Sequence, residues 1–145
     1  MSYDLMVFRA DAAPREIEQF SEWFSAQTEW DEDIDYNDHL HTAPPLKEWF
    51  LEMQQTFPSL NGPLANDDAI DDPKTTDYSI GADIIYASFT WGVAKSAFKQ
   101  AFKLAAKHKT GFYDPQSNEL FFPDNNGGFE RIAKYKRAWW KFWQA

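Results

Sequence analysis

The chain has 145 residues, 26% of them charged and 18% aromatic, and carries a formal net charge of −9. That length suits one domain and is enough to bury a core without staples. With no Cys, disulfides and thiolate metal sites are excluded, which fits a reducing compartment. No apolar stretch reaches the roughly 18 residues of a membrane span. Met1-Ser2-Tyr3-Asp4-Leu5 lacks the basic start of a signal peptide. The expected location is therefore cytoplasmic. Residues 1–72 hold 17 acids against 3 basic residues, a net of −14, whereas residues 73–145 hold 6 against 11, a net of +5. The acidic half should repel nucleic acid and attract basic partners.

Tyr3 to Phe8 reads as a strand central in a sheet, because Leu5, Met6, Val7 and Phe8 are all apolar. Pro14 suits a helix start, and Ile17, Phe20, Trp23, Phe24 and Gln27 follow at helical spacing, so an amphipathic helix is predicted over 14–28. The run from Asp31 to His39 has no apolar periodicity and reads as an acidic surface loop. Thr42 is the expected cap of a second helix that has Pro44 and Pro45 in its first turn. Its stripe is Leu46, Trp49, Phe50, Met53 and Phe57, with Pro58 as its stop.

Residues 58–76, rich in Pro, Gly and Asp, form a long loop. Asp77–Ile80 and Ala82–Phe89 read as a hairpin, with Ile85, Ala87 and Phe89 on one face and Ile84, Tyr86 and Ser88 on the other. Thr90 is the expected cap of a helix over 91–108. That helix buries Ala94, Ala97, Phe98, Ala101, Leu104 and Ala105 and displays Lys95, Lys99, Lys103 and Lys107. Gly111 is read as the breaker. Two short strands follow, Gly111–Asp114 and Glu119–Phe122, then a turn at 125–128 and a last helix from Phe129 to Trp143. That helix places Phe129, Ile132, Ala133, Trp139, Trp140, Phe142 and Trp143 on one side. Glu130, Arg131, Lys134, Arg137 and Lys141 lie opposite, with Lys136 an intruder on the apolar face.

The expected fold is a single α+β domain over 1–145, in the order β-α-α-β-β-α-β-β-α. Its sheet core is of the ferredoxin-like, split β-α-β kind, with extra helices. Such a fold licenses no function by itself.

The candidate chemistry is sparse. A calcium loop starting at Asp31 fails where Gly and Glu are required, since Tyr36 and Thr42 stand there. His39 and His41 beside Asp38 lack a third ligand, His108 being the only other His. There is no G-x-S-x-G, no Cys nucleophile and no phosphate-cradling loop. No cofactor, no metal and no catalytic residue is expected.

Several stretches together resemble a widespread family of small, acidic, uncharacterised bacterial proteins. They are Met1–Phe8, Gln27-Thr28-Glu29-Trp30, Gln55-Thr56-Phe57-Pro58, Asn61-Gly62-Pro63, Thr76–Gly81 and Gly111-Phe112-Tyr113-Asp114. The family supplies no catalytic residues to carry over. In size and acidity the chain is also similar to immunity proteins of bacterial toxin systems, including contact-dependent growth inhibition, a likeness of class and not of motif.

The resulting expectation is a protein-interaction module, most concretely an immunity protein that covers the basic cleft of a toxin. Its electrostatic patch would be Asp31, Glu32, Asp33, Asp35 and Asp38, joined by Asp67, Asp68, Asp71 and Asp72, with Trp30 and Tyr36 as aromatic anchors. Two alternatives stay open. One is a small hydrolase or ligand-binding domain using the acidic loop with His39 and His41. The other is a homodimeric or membrane-surface adaptor using the last helix.

Overall fold

The computed structural model describes residues 2–30, 34–65, 68 and 71–132. The elements run β1 (Tyr3–Phe8), α1 (Ile17–Gln27), α2 (Pro44–Met53), β2 (Asp77–Ile80), β3 (Ile84–Phe89), α3 (Ala94–His108), β4 (Gly111–Asp114), β5 (Glu119–Pro123) and β6 (Phe129–Ile132). The protein is α+β, and its six strands form one antiparallel sheet in the order β2-β3-β1-β4-β5-β6. The apolar strand β1 lies inside the sheet, as its composition predicts, with Met6 opposite Tyr86 on one side and Tyr113 on the other.

Alternation along the strands divides the core into two layers. Leu5, Val7, Ile85, Ala87, Phe89 and Phe112 face α2 and α3, where they meet Leu46, Trp49, Phe50, Ala101 and Leu104. Trp49, 1% exposed, donates its indole N–H to the Ala101 carbonyl at 3.1 Å, which locks α2 against α3. Met6, Phe8, Ile84, Tyr113, Leu120 and Phe122 face the other way and are covered by α1 through Phe20. The β3 faces read from period-2 alternation therefore hold residue by residue.

Several boundaries differ from the sequence reading. Helix α1 starts at Ile17, three residues after Pro14, because the Glu16 carboxylate accepts the Glu18 and Gln19 backbone N–H groups at 3.1 Å and supplies the cap. Thr42 does not cap α2; its hydroxyl donates to the Gly81 carbonyl at 2.8 Å, and Ala43 occupies the cap position. Helix α2 ends at Met53, well before Pro58, while Phe57 is still buried as part of the following turn. Thr90 precedes a short 3₁₀ turn, Trp91–Val93, and donates its hydroxyl to the Pro73 carbonyl at 2.7 Å instead of capping α3.

The breaker after α3 is Lys109, in the left-handed conformation at φ 59°. Gly111 opens β4 opposite Phe8, where any Cβ would run into the Phe8 ring. Phe129–Ile132, expected to begin a helix, is strand β6 paired with β5. The Asp124 carboxylate organises the turn before it, accepting from the Asn126 and Gly128 backbone N–H groups at 2.8 and 2.9 Å. The remainder of the expected last helix, from Ala133 on, lies outside the described residues, and with it Trp139, Trp140 and Trp143.

Candidate functional site

Both acidic loops are stitched to β2 and its surroundings. The Ile80 N–H donates to the Tyr36 carbonyl at 2.8 Å, His41 Nε2 lies 2.8 Å from the Ile80 carbonyl, and the Ala43 N–H donates to the Ala82 carbonyl at 3.0 Å. The second loop is held where Leu60 N–H donates to Thr76 O and Thr76 N–H to Pro58 O, both at 2.8 Å. The Tyr78 hydroxyl, deep in the core, reaches the Phe57 carbonyl at 2.7 Å. The two loops touch where Gly62, at φ +90°, lies against Asn37, and a Cβ there would collide with the Asn37 carbonyl oxygen. Only glycine meets both demands, open space and a left-handed backbone.

The expected interface acids are divided between the ends of β2. Asp35 and Asp38 stand at the Ile80 end, and Asp71 and Asp72 precede Pro73, which Thr90 ties to the end of β3. A four-residue strand spans on the order of 10 Å, so the two groups line one edge and are not a single cluster. Asp35, Asp68, Asp71 and Asp72 are exposed, and Asp38 is half-buried. Asp35, Asp38 and Asp72 each give one oxygen to a local backbone N–H, at Asn37, Leu40 and Lys74, which shapes the turns. Asp31, Glu32, Asp33 and Asp67 lie outside the described residues.

The expected anchors do meet. Trp30 and Tyr36 pack edge to face with ring centroids 5.1 Å apart, and Trp30 adopts a left-handed backbone at φ 55°. Leu40, Leu60 and Leu64 are also exposed in these two loops, at 68%, 39% and 40%.

Beside Trp30 the sheet face that α1 covers elsewhere lies open. Phe24, Thr28, Trp30, Ser79, Tyr86 and Ser88 line a groove of about 360 Å³. The sheet beneath it follows from strand register: Met6, Tyr86 and Ser79 form one cross-strand row, and Asp4, Ser88 and Asp77 the next, of which Ser79, Tyr86 and Ser88 line the groove. Both carboxylates of the second row therefore flank Ser88 on the groove's own face. The Tyr86 hydroxyl donates to Asp4 Oδ2 at 2.8 Å, and its ring stacks against Phe24 at 6.4 Å. Burial pushes the Tyr86 phenol well above its ordinary pKa, and the hydrogen bond to Asp4 adds to the shift. A second depression of about 370 Å³ shares Ser88 and continues past Asp77 to Leu60 and Thr90.

Sequence reading found Trp30 but missed Asp4, Asp77, Ser79, Tyr86 and Ser88. The available signal was the polar turn taken by one face of β3, from Ile84 to Tyr86 to Ser88.

His39 stacks on Phe50 with ring centroids 5.2 Å apart, and His41 meets the Ile80 carbonyl, so the two imidazoles serve different neighbours. Among the described residues no group of three or more His, Asp or Glu is placed to hold a metal ion, and no helix is long and apolar enough to cross a membrane. Two helices differ sharply in charge: α1 contains two Glu and no basic residue, whereas α3 contains four Lys and no acid. No family model, curated protein or solved structure matches the chain.

Proposed function

We propose that the protein is a binding module for a basic protein partner, with the β2 edge and its two loops as the interface. The observation that carries this reading is the mixture of exposed apolar and acidic side chains there. Three of the five large apolar side chains exposed among the described residues, Leu40, Leu60 and Leu64, sit in the acidic loops. Interfaces combine such apolar contacts with charges that steer the encounter.

An immunity protein working in the cytoplasm against a toxin with a basic cleft is the most concrete form of this function. The core is read as ferredoxin-like, supported by the adjacency β2-β3-β1-β4 and by α2 and α3 sharing one face. That fold adds nothing to the functional argument.

The test is affinity capture from cell extract with the wild type and with a Leu40→Ser/Leu60→Ser/Leu64→Ser variant of equal thermal stability. The reading expects a partner of basic isoelectric point held by the wild type and lost from the variant. Equal capture by both would remove these loops from the interface.

A further inference from the structure

We propose that the groove beside Trp30 is a receptor for an arginine side chain presented on the surface of the basic partner. This rests on the reading of the β2 edge as an interface, and it names the chemical group recognised there.

Four independent features of the groove favour a planar cation. Its walls are aromatic: Phe24, Trp30 and Tyr86 all line it, and ring faces attract guanidinium groups by their quadrupoles. The Tyr86 ring is the stronger for donating its hydroxyl proton toward the Asp4 carboxylate at 2.8 Å, which leaves more electron density on the phenol. Carboxylates border the groove without lining it: Asp4 and Asp77 both oppose Ser88 across the sheet on the same face. No Lys or Arg is among the lining residues. Lastly, Phe24 and Thr28 bring in the C-terminal end of α1, whose last turn carries no basic residue to answer its partial negative charge.

Hydroxyl groups decide between the cations. Thr28, Ser79 and Ser88 offer oxygen acceptors at the rim and floor. A guanidinium has five N–H donors in a plane and satisfies such acceptors while stacking on Trp30. A quaternary ammonium has none, and a lysine ammonium is too strongly hydrated to stack as well. The volume of about 360 Å³ is ample for one such side chain. Trp30 packs edge to face on Tyr36 with ring centroids 5.1 Å apart, a contact that orients its ring as a wall of the groove.

The probe is N-acetyl-arginine amide, titrated into the full chain by NMR while the Trp30 indole and Tyr86 ring signals are followed. Its neutral isostere, N-acetyl-citrulline amide, and free arginine form the control arms. The structure predicts saturable shifts at both rings with the arginine amide, and binding weaker by roughly fivefold or more with the citrulline amide. Free arginine, whose α-carboxylate is repelled by the acids bordering the groove, should bind more weakly than the amide. Ser88→Ala, a conservative change, should weaken binding without unfolding the protein; Trp30→Ala should abolish the Tyr86 shift.

Equal shifts with citrulline amide, tighter binding of free arginine, or no response at Trp30 would overturn the proposal. The outcome is separable from that of the interface reading. Arginine binding here with no partner at the loops would sink the interface alone, and partner capture without arginine binding would sink the receptor alone.

Discussion

Tyr86 and Asp4, neighbours on strands β3 and β1, are joined by a hydrogen bond of 2.8 Å from the phenol to Oδ2. Asp4 is further engaged by its own backbone: its N–H donates to Gln116 Oε1 at 2.7 Å, and its carbonyl accepts from Gln116 Nε2 at 2.6 Å. The same Gln116 amide donates to Asp114 Oδ1 at 2.6 Å. The groove floor is thereby tied to the β4–β5 turn, and a side chain entering the groove meets a braced surface.

Burial of the phenols predicts an unusual alkaline titration. Burial raises Tyr78, Tyr86 and Tyr113, and burial with the nearby Asp114 pushes Tyr3 up to about 12. At pH 11 Tyr3, Tyr78 and Tyr86 should stay protonated in the native protein, read as a small tyrosinate absorbance that jumps on unfolding. Folded values lie above the unfolded 10.0, so the unfolded chain loses protons first. Stability should be complete below pH 10 and decline as pH rises beyond it. Full ionisation of all tyrosines at pH 11 without loss of fold would contradict this packing.

On the opposite layer, Glu52 Oε1 of α2 receives Lys107 Nζ at 2.5 Å and His108 Nε2 at 2.8 Å from α3. The Lys107 hydrogen bond first, and the His108 bond second, hold the Glu52 carboxyl below its usual range. A depressed carboxylate stabilises the fold above its unfolded pKa of about 4.5, and this contribution is lost as pH falls through the folded value. Glu52→Gln should therefore flatten the acid limb of a melting-temperature profile below pH 5. An unaltered acid limb would show that the pair is screened to insignificance.

Gly62 is the joint between the loops. Gly62→Ala places a methyl against the Asn37 carbonyl oxygen and forces an L-residue to φ +90°, at a cost of about 1–3 kcal/mol. Denaturant midpoints should fall accordingly. Gly127, also at positive φ but with nothing within 4 Å, is the control, and Gly127→Ala should cost less. Equal costs at the two sites would mean that the loop contact itself contributes nothing.

Much of the architecture was legible because it rests on periodicity. The strand β1, the two faces of β3 and the Leu46-Trp49-Phe50-Met53 stripe follow from side-chain spacing, which burial enforces. Helix ends were less legible, because caps are chosen locally: α1 begins at Ile17 behind a Glu16 cap and not at Pro14, and Thr42 and Thr90 spent their hydroxyls on Gly81 and Pro73. Phe129 and Ile132, three apart, read as one helical face; paired with β5 they lie on opposite faces of a strand and pack into the two different core layers. The groove was illegible for a different reason. Asp4, Asp77, Ser79, Tyr86 and Ser88 come from three strands, and only their register makes them neighbours. Trp30 and Tyr36 were found as aromatics beside acids, but that their rings pack on each other has no signal in the spacing.

The most direct test of the acidic, apolar-studded β2 edge as a partner-binding surface is the association rate with the captured partner as a function of ionic strength. Stopped-flow measurements on the wild type and on Asp35→Asn/Asp38→Asn/Asp71→Asn/Asp72→Asn are compared. These side chains are exposed or half-buried, so the fold should be retained. The predicted result is a wild-type rate that falls steeply with added salt, and a variant rate that is slower by about tenfold at low salt and nearly flat thereafter. Identical rates and salt slopes for the two proteins would contradict the account.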